Sequence, residues 1–514
     1  LYAGFNATSW ALIDGQAAHA ITWHTMTANV DGGAIILQQA FDIRDDDTAF
    51  SLGVRCAEAG RLSFVQLVEM IALEASEGVT LPAVAQGLGH NFHGRADRPG
   101  LGLIDFRQPT TQLQNFVRGL DLGSEDNWMC LPKLILPTGL FVVGDSVLAP
   151  GGGASGTILA ADAGSITVAV ADGALQFSRI STLEGELVDV LSTGVRVGQF
   201  LTADAIPSSD IDALDPSFSK HERFWVRRLA SLRAPIVQDL TPKFGAPDAA
   251  IEIRKLRPEA EPASVLAALA AYIARTDEGG AFDLGFAKDL PNTLSQAYAD
   301  TTPFRVDVDL TASFAALRSQ VDSELQAQRT RGTYARDVVL RYGVLRTGEK
   351  RPFPVRVHVG QISSIDPAGA LGDASITLIV AEQGSEIAWV YDRRAISDSA
   401  IRTLADRVET LLASGLGADT ASIGNLDIVP AQERTLLLTD WQETATAYAS
   451  DRCVHQLFEE QAARTPDAIA IVFNEMSLTY RQLDERANAV AEALQNRGVG
   501  PDSLVAVCVE RSLD

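Results

Sequence analysis

The stretch HAITWHTMTANVDGGAIILQ, residues 19–38, places an aspartate before a glycine pair, with an apolar run behind both. An aspartate ahead of Gly-Gly at a strand edge can present its carboxylate on a turn whose backbone comes close to a ligand. His24 precedes Asp31 by seven residues and can approach it if the loop between them folds back. Because Asp-Gly turns are common, a plain turn beside a structural histidine stays open on the spacing alone.

The composition indicates a multidomain globular protein. At 514 residues the chain is too long for one core, and three or four domains are expected. The formal charge of −24 argues against a nucleic-acid partner. No apolar run reaches the length of a bilayer span and the N-terminus is not signal-like, so no membrane partner is expected. Four scattered cysteines without a CxxC pair suit a reducing cytoplasm, and no His/Cys cluster has metal-ligand spacing.

The first part of the chain mixes helix and strand patterns. AIILQQAFDI, residues 34–43, predicts a buried strand. In SFVQLVEMIALE, helical spacing places Phe64, Leu67, Val68 and Ile71 on one face. We interpret the Gly-, Pro- and charge-rich residues 89–102 as a linker.

Residues 103–200 change to short strands behind one amphipathic helix. Leu113, Phe116, Val117 and Leu120 share a face of that helix. The stretch SITVAVADGALQFSRI then predicts a β-hairpin that turns at Asp172–Gly173. A small β-barrel with one leading helix is the simplest interpretation.

Residues 221–430 alternate helices with strands after an acidic boundary at residues 202–220. One predicted helix carries Phe314, Leu317, Val321 and Leu325 on a single face, and a second carries Ile401, Leu404, Val408 and Leu411. Ser397 is a candidate cap for the second helix, and Gly415 a candidate stop.

A further unit is expected after about residue 450. LTYRQLDERANAVAEALQNRGVG predicts a helix with Leu483, Ala487, Val490 and Leu494 on one face and Gly498 as its stop. SLVAVCVE, residues 503–510, predicts the next strand. Both chain ends look cut, and we interpret the sequence as a window from a longer polypeptide.

The first 200 residues resemble the folate-dependent formyltransferase family, which includes methionyl-tRNA formyltransferase. GQAAHAITWHTMTANVDGGAIILQ, residues 15–38, is similar to the family's T-x-H-x-M-like strand and its loop ending in Asp-x-Gly. LYAGFNATSWALIDGQ, residues 1–16, resembles the segment after the catalytic Asn-x-His. GLIDFRQPTTQLQNFVRGL, residues 102–120, resembles the opening of the family's C-terminal domain, and residues 156–177 resemble its OB-like barrel.

This resemblance implies transfer of a formyl group from 10-formyltetrahydrofolate to an amine through a tetrahedral oxyanion. It implies that Asp31 is the catalytic carboxylate that tunes a histidine, and that His24 supports it. Ala28, Asn29 and Val30, with Asp31, would line the pterin pocket. The family's Asn-x-His would fall before Leu1, so we expect this window to be inactive alone.

Residues 221–430 resemble the C-terminal half of a nonribosomal peptide synthetase condensation domain. HERFWVRRLASL at 221–232, TTPFRVDVDLTASFAALRSQVDSELQAQ at 301–328 and IAWVYDRRAISDSAIRTLADRVETLL at 387–412 carry the similarity. The family's HHxxxDG motif does not occur in the sequence, and the His90-x-x-His93 pair lacks the Asp-Gly. A structural half-condensation lobe is therefore expected.

Residues 451–514 resemble the beginning of an amino-acid adenylation domain, most clearly in VHQLFEEQAARTPDAIAIVF at 454–473 and LTYRQLDERANAVAEAL at 478–494. The resemblance implies ATP–Mg and a phosphopantetheine-bearing carrier outside this window. Together, the resemblances imply an initiation module that N-formylates an aminoacyl-loaded peptidyl carrier domain.

Two alternatives stay open. The first is formylation of a side-chain hydroxylamine in siderophore-type synthesis, and the second is a docking platform without catalysis. The identity of the amino-acid substrate is not readable from the sequence.

The expected fold class is multidomain α/β. It combines a partial Rossmann-like formyltransferase domain, an OB-like β-barrel, a CoA-acyltransferase-like condensation lobe and the N-terminal part of an adenylation domain. The expected boundaries are 1–88, 103–201, 221–430 and 451–514, with linkers at 89–102, 202–220 and 431–450.

Overall fold

A computed structural model describes most of the chain, which separates into two compact units, Leu1–Pro430 and Ala431–Asp514. The described residues are 2–28, 32–85, 91–94, 97–202, 215–238, 240–241, 246–257, 259–277, 280–346, 353–363 and 365–513. The elements are α/β throughout, in several separate sheets, so the expected multidomain α/β class is confirmed.

The first unit begins with two small sheets and a long helix. In chain order these elements are β1 (Ala3–Gly4), α1 (Ala7–Ile13), β2 (Ala18–His24), β3 (Ile35–Asp42), α2 (Ala49–Glu77) and β4 (Phe92–His93). β2 and β3 pair antiparallel, and β1 pairs with β4 in parallel. A capping box between Thr48 and Ser51 starts α2, and Gly78 ends it at φ 67°. The segment expected to be a linker thus contributes His93, whose ring stacks on Trp10 at 4.0 Å.

The burial expected for β3 is wrong. β3 is half-buried rather than buried, because β2 is its partner strand in a two-stranded sheet. The face predicted for α2 is also largely exposed. Leu67 is buried, whereas Phe64, Val68 and Ile71 are 46–51% exposed. Helical periodicity identified the helix correctly, but it does not say whether a neighbour covers the apolar face.

The middle of the first unit is a helix on a set of antiparallel strands. It comprises α3 (Thr110–Gly119), β5 (Lys133–Leu136), β6 (Gly139–Val142), β7 (Asp145–Ala149), β8 (Ile158–Ala161), β9 (Ser165–Val170) and β10 (Gly173–Ser178). Four strands form one sheet in the order β7-β10-β9-β8, while β5 and β6 form a separate ribbon. In residues 97–202, all described, these strands share one apolar core with α3, but their ladders do not close into a ring.

The predicted hairpin and helix are both confirmed. The hairpin turns at Ala171–Asp172, one residue before the predicted position, because Gly173 already pairs with Val170. Leu113, Val117 and Leu120 are buried. Asp172 has a second role, because its Oδ1 accepts a hydrogen bond from the Thr110 amide at 2.7 Å. The turn residue therefore caps the first turn of α3 and joins the hairpin to the helix.

The rest of the first unit is built around a six-stranded mixed sheet. The strands are β11 (Ala249–Lys255), β12 (Gly280–Ala287), β13 (Thr301–Val308), β14 (Val355–Gly360), β15 (Ile376–Ala381) and β16 (Glu386–Asp392), in the order β11-β16-β15-β14-β12-β13. The helices are α4 (Glu222–Ala230), α5 (Pro262–Thr276), α6 (Asn292–Ser295), α7 (Phe314–Arg331), α8 (Val338–Arg341), α9 (Gly343–Arg346), α10 (Pro367–Leu371) and α11 (Asp398–Gly417). Side chains of α5, α7 and α11 share the main core with the sheet.

The two amphipathic helices predicted here are confirmed. Phe314, Leu317, Val321 and Leu325 of α7 are buried, as are Ile401, Leu404, Val408 and Leu411 of α11. Ser397 caps α11 by accepting a hydrogen bond from the Ala400 amide. The predicted stop at Gly415 is wrong, because α11 continues to Gly417. A Cβ on Gly415 would lie 2.7 Å from the Phe314 ring, so this glycine allows α7 and α11 to approach closely.

Gly415→Ala is therefore expected to destabilise the first unit by about 1–3 kcal/mol through overpacking. Gly417→Ala is the matched control, because no atom lies within 4 Å of a Cβ placed there. Its alanine should be neutral or stabilise the helix end by up to about 1 kcal/mol. Urea unfolding midpoints of the two variants measure the difference, and equal midpoints would contradict the packing role of Gly415.

The second unit contains α12 (Ala431–Leu438), α13 (Val454–Arg464), β17 (Ile469–Phe473), β18 (Met476–Thr479) and α14 (Tyr480–Gln495). The predicted helix is confirmed as α14, and Gly498 follows its end at φ 82°. The predicted strand at 503–510 is wrong. These residues have no strand assignment, and Leu504 and Val507 are exposed. A strand needs a neighbour to accept its backbone hydrogen bonds, and no described strand pairs with this segment.

Candidate functional site

The two ends of the loop between β2 and β3 are hydrogen-bonded to each other, and we call this closed base, formed by Thr25, Gly33 and Ala34, the neck. The Thr25 amide donates to the Ala34 carbonyl at 3.0 Å, and the Ala34 amide donates to Thr25 Oγ1 at 3.0 Å. On the outer side, Trp23 Nε1 donates to Ser63 Oγ of α2 at 2.9 Å. The strand that enters the loop is therefore fixed both to its partner strand and to the long helix.

Gly33 is required at this neck. A Cβ there would lie 1.6 Å from the Thr25 carbonyl oxygen, a backbone atom that cannot rotate away. The second glycine of the Asp-Gly-Gly sequence thus serves the close approach of the two chain segments. The chain geometry that follows the candidate aspartate depends on this contact.

We expect Gly33→Ala to open the neck, because the added methyl group must displace the Thr25 carbonyl. Hydrogen exchange of peptides covering residues 19–41 should become faster than in the unchanged protein. Gly60→Ala in α2 is the control, since a Cβ at Gly60 meets no atom within 4 Å. Unchanged exchange in the Gly33 variant would show that the neck is not tight.

His24 lies at the end of β2, directly before the loop. Its side chain is half-buried, and Nδ1 lies 3.0 Å from the Thr25 carbonyl oxygen. A hydrogen bond there requires the tautomer or charge state with a proton on Nδ1, which fixes the orientation of the ring. The structure therefore places His24 at the loop, and its supporting role in catalysis stays a prediction.

The other candidate residues lie within the loop itself. Ala28 is in an exposed bend, and the neighbouring Met26 is 96% exposed. Asn29, Val30 and Asp31 lie outside the described residues. Residues 25–28, the described start of the loop, are exposed to solvent.

A second polar assembly, which the sequence analysis missed, joins residues 97–202 to the helices α4 and α8. We call it the junction cluster, and its charged members are Arg98, Lys133, Asp215, Glu222, Asp337 and Arg341. Every one of these side chains is at most 8% exposed. Its three cations balance its three carboxylates, as buried charges require.

Glu222 is the centre of the junction cluster. Its carboxylate accepts hydrogen bonds from Arg98 at 2.6 Å, from Arg341 at 2.6 and 2.8 Å, and from the Tyr342 hydroxyl at 2.7 Å. Burial alone would raise its pKa, but Arg341 and Arg98 outweigh burial and lower the pKa of Glu222. The carboxylate is therefore ionised in the folded chain.

Asp337 links the cluster to the β5 strand. Its carboxylate lies 2.6 Å from Lys133 Nζ and accepts a hydrogen bond from Arg341 Nε at 2.9 Å. Burial opposes ionisation, but Arg341 and Lys133 hold the pKa of Asp337 well below its usual range. The Asn127 carbonyl also accepts from Arg341 at 2.9 Å. These bonds connect the middle of the first unit to α8.

Sequence patterns could not reveal this cluster. Its members come from separate segments of the chain, and none belongs to a motif with a fixed spacing. The one local sign is Asp337 and Arg341, four residues apart and able to pair along one helical turn. That spacing is usual on solvent-exposed helices and does not indicate burial.

Two family models match the chain. The formyl transferase model matches residues 1–68, which include the β2–β3 loop. The AMP-binding enzyme model matches residues 458–514 in the second unit. The two ends of the chain are thus similar to two different enzyme families.

Curated synthetases match part of the chain. The chain is 42% identical over 118 residues to malpinin synthetase of Mortierella alpina, covering 23% of this chain and 2% of that protein. It is 40% identical over 124 residues to bacitracin synthase 1 of Bacillus licheniformis, covering 24% of this chain and 2% of that protein. The chain thus spans only a few per cent of the length of these relatives.

Solved structures overlap with parts of the chain. A four-domain nonribosomal peptide synthetase bound to AMP and glycine has a TM-score of 0.40 at 16% identity, covering 55% of this chain and 25% of that one. An N-formyltransferase from Helicobacter canadensis in complex with folinic acid and dTDP-3-aminofucose has a TM-score of 0.29 at 18% identity, covering 35% and 62%. Among the described residues, no helix combines the length and apolar character needed to cross a membrane.

Proposed function

We propose that this chain is part of a nonribosomal peptide synthetase that N-formylates a carrier-bound aminoacyl thioester and so starts a peptide. The observation that carries the proposal is the presence of formyl transferase and AMP-binding matches in one chain, at 1–68 and 458–514. The AMP-binding segment would contribute to activation of an amino acid with ATP and Mg²⁺. A carrier domain would then hold the amino acid as a phosphopantetheine thioester.

The reaction forms one bond and breaks one. The free amine of the aminoacyl group attacks the formyl carbon, the bond from that carbon to the donor nitrogen breaks, and the proton lost by the amine is balanced by one gained by the donor nitrogen. When bound, 10-formyltetrahydrofolate supplies the formyl group. The formamide product is neither basic nor nucleophilic, so it can only donate its acyl group in the next condensation.

The described part of the β2–β3 loop fits such a donor site. Its neck is held by Thr25 and Ala34, and its first residues are exposed. Ala28, Asn29, Val30 and Asp31 would contact the donor. Asp31 would favour the protonated form of the catalytic histidine and thereby help to stabilise the oxyanion.

We propose a structural role for the condensation-type part, residues 221–430. The junction cluster supports this role, because Glu222, Asp337 and Arg341 from this part are bonded to Arg98 and Lys133 of the preceding part. The same contacts indicate that the boundary proposed at 202–220 separates sequence segments that are firmly packed together.

The test uses the intact polypeptide that contains this chain, with its carrier loaded with an aminoacyl-phosphopantetheine. After addition of 10-formyltetrahydrofolate, mass spectrometry of the carrier should show the gain of one formyl group on the amino acid. A carrier loaded with an N-acetylated amino acid is the control and should gain nothing. No gain on the free amine, while adenylation still proceeds, would overturn the proposal and leave side-chain formylation or a docking platform.

A further inference from the structure

A cavity of about 210 Å³ lies beside the junction cluster, between the middle of the first unit and the start of α4. Six side chains that line it are Arg98, Trp128, Ser219, Lys220, Arg223 and Tyr342. Glu222 also contributes to the wall. This cavity does not involve the β2–β3 loop, so neither the formyl transferase match nor the candidate loop residues account for it.

The charge around the cavity is positive. Arg98 and Glu222 belong to the charge-balanced junction cluster. Lys220 and Arg223 are therefore the cations in excess at the cavity wall. The pKa of His221, which lies between Lys220 and Glu222, is lowered by burial and then by the charges of Lys220 and Arg331. In a chain with a formal charge of −24, a local excess of cations around a concave surface is unusual.

The two arginines of the cavity wall are held in place. The Arg223 guanidinium lies 3.8 Å from the centre of the Trp128 ring, and this cation–π contact orders it at the cavity wall. The Arg98 side chain is 4% exposed, and its Nε has no acceptor among the described residues. An ordered guanidinium loses little conformational entropy when it binds an anion.

The size of the cavity limits the ligand. Pockets for drug-sized molecules span roughly 300–1,000 Å³. At about 210 Å³, this cavity can hold a phosphate-sized head group but not a whole nucleotide. Arginine and lysine side chains together with hydroxyl groups are the donors that phosphate esters use.

We propose that this cavity binds a phosphate group. The source is either free phosphate or a phosphoester arm such as that of a carrier domain; the second source rests on the proposed function, whereas phosphate binding itself does not. Bound there, a phosphoester would be held at the boundary between the formyltransferase-type and condensation-type parts of the chain.

Calorimetric titration of the full chain with inorganic phosphate, 4′-phosphopantetheine and pantetheine tests the site. We expect phosphopantetheine to bind, pantetheine not to bind, and the affinity to fall with added salt because the contacts are ionic. Equal affinity for inorganic phosphate and phosphopantetheine would identify free phosphate as the ligand. It would overturn the phosphoester arm as the source. If neither inorganic phosphate nor phosphopantetheine bound, the proposal of a phosphate site would be overturned.

Variants locate the binding. Lys220→Gln with Arg223→Gln should weaken phosphate binding at least tenfold, and both positions are exposed enough for the chain to fold. Arg227→Gln is the matched control, because Arg227 is an exposed cation one turn further along α4 and does not line the cavity. Unchanged affinity in the double variant would place any binding elsewhere and overturn the proposal. Formyl transfer is a separate measurement, so its failure would leave this result intact.

Discussion

Asp31→Asn is expected to lower formyl transfer by about two to four orders of magnitude in the intact polypeptide. The substitution keeps the size of the side chain and removes the negative charge that favours a protonated histidine. Changing the carboxylate that orients a catalytic histidine costs about 10⁴ in rate in serine proteases, and single acid–base groups contribute about 10²–10⁴. Single-turnover transfer from 10-formyltetrahydrofolate to the loaded carrier, followed by mass spectrometry, measures the effect.

The control for this experiment is Asp46→Asn. Asp46 is exposed and follows β3. Its replacement by asparagine removes the same negative charge as Asp31→Asn does. Its rate should stay within about twofold of the unchanged protein, since surface substitutions away from a site have small effects. Adenylation should be unaffected in both variants. A near-normal rate in Asp31→Asn would remove Asp31 from the catalytic machinery while leaving the formyltransferase assignment untouched.

Sequence patterns predicted helices and strands well where residues adjacent in the chain determine where these elements begin or turn. The α11 helix begins at its Ser397 cap, and the β9–β10 hairpin forms within one residue of its predicted turn, because caps and two-residue turns are formed by adjacent residues. The apolar faces of α7 and α11 are buried as their spacing indicates.

Predictions that depend on a distant neighbour were less successful. Gly415 looked like a helix stop, whereas its role is set by the Phe314 ring on another helix. The apolar segment around Leu504 and Val507 has strand composition but no described partner strand. Helix α5 shows the opposite case, since a run that is apolar on all sides is buried on all sides.

The polar sites of the first unit also include one that the sequence predicted and one that it did not. The sequence located the loop between β2 and β3, and the structure adds the neck formed by Thr25, Gly33 and Ala34. The junction cluster was not predictable, because its charges lie far apart in sequence and meet only when the two parts of the first unit pack together.

Glu222→Gln is expected to destabilise the first unit by about 3–5 kcal/mol. The substitution leaves Arg98 and Arg341 buried without their shared carboxylate, and breaking a buried ion pair by removing one partner has an effect of this size. Urea unfolding followed by tryptophan fluorescence measures it. Five of the six tryptophans lie in the first unit, and only Trp441 lies in the second.

The matched control is Glu184→Gln, which removes an ion pair at the same boundary but near its surface. Glu184 is 32% exposed and accepts hydrogen bonds from Arg336 at 2.7 and 3.0 Å. A pair with this exposure contributes at most about 1 kcal/mol because water and salt screen it. If Glu222→Gln were no more destabilising than Glu184→Gln, the junction cluster would not hold the two parts together, and the structural role proposed for residues 221–430 would lose its physical basis. A large difference would mean that residues 221–430 are needed for the stability of the part that precedes them, as the proposed structural role requires.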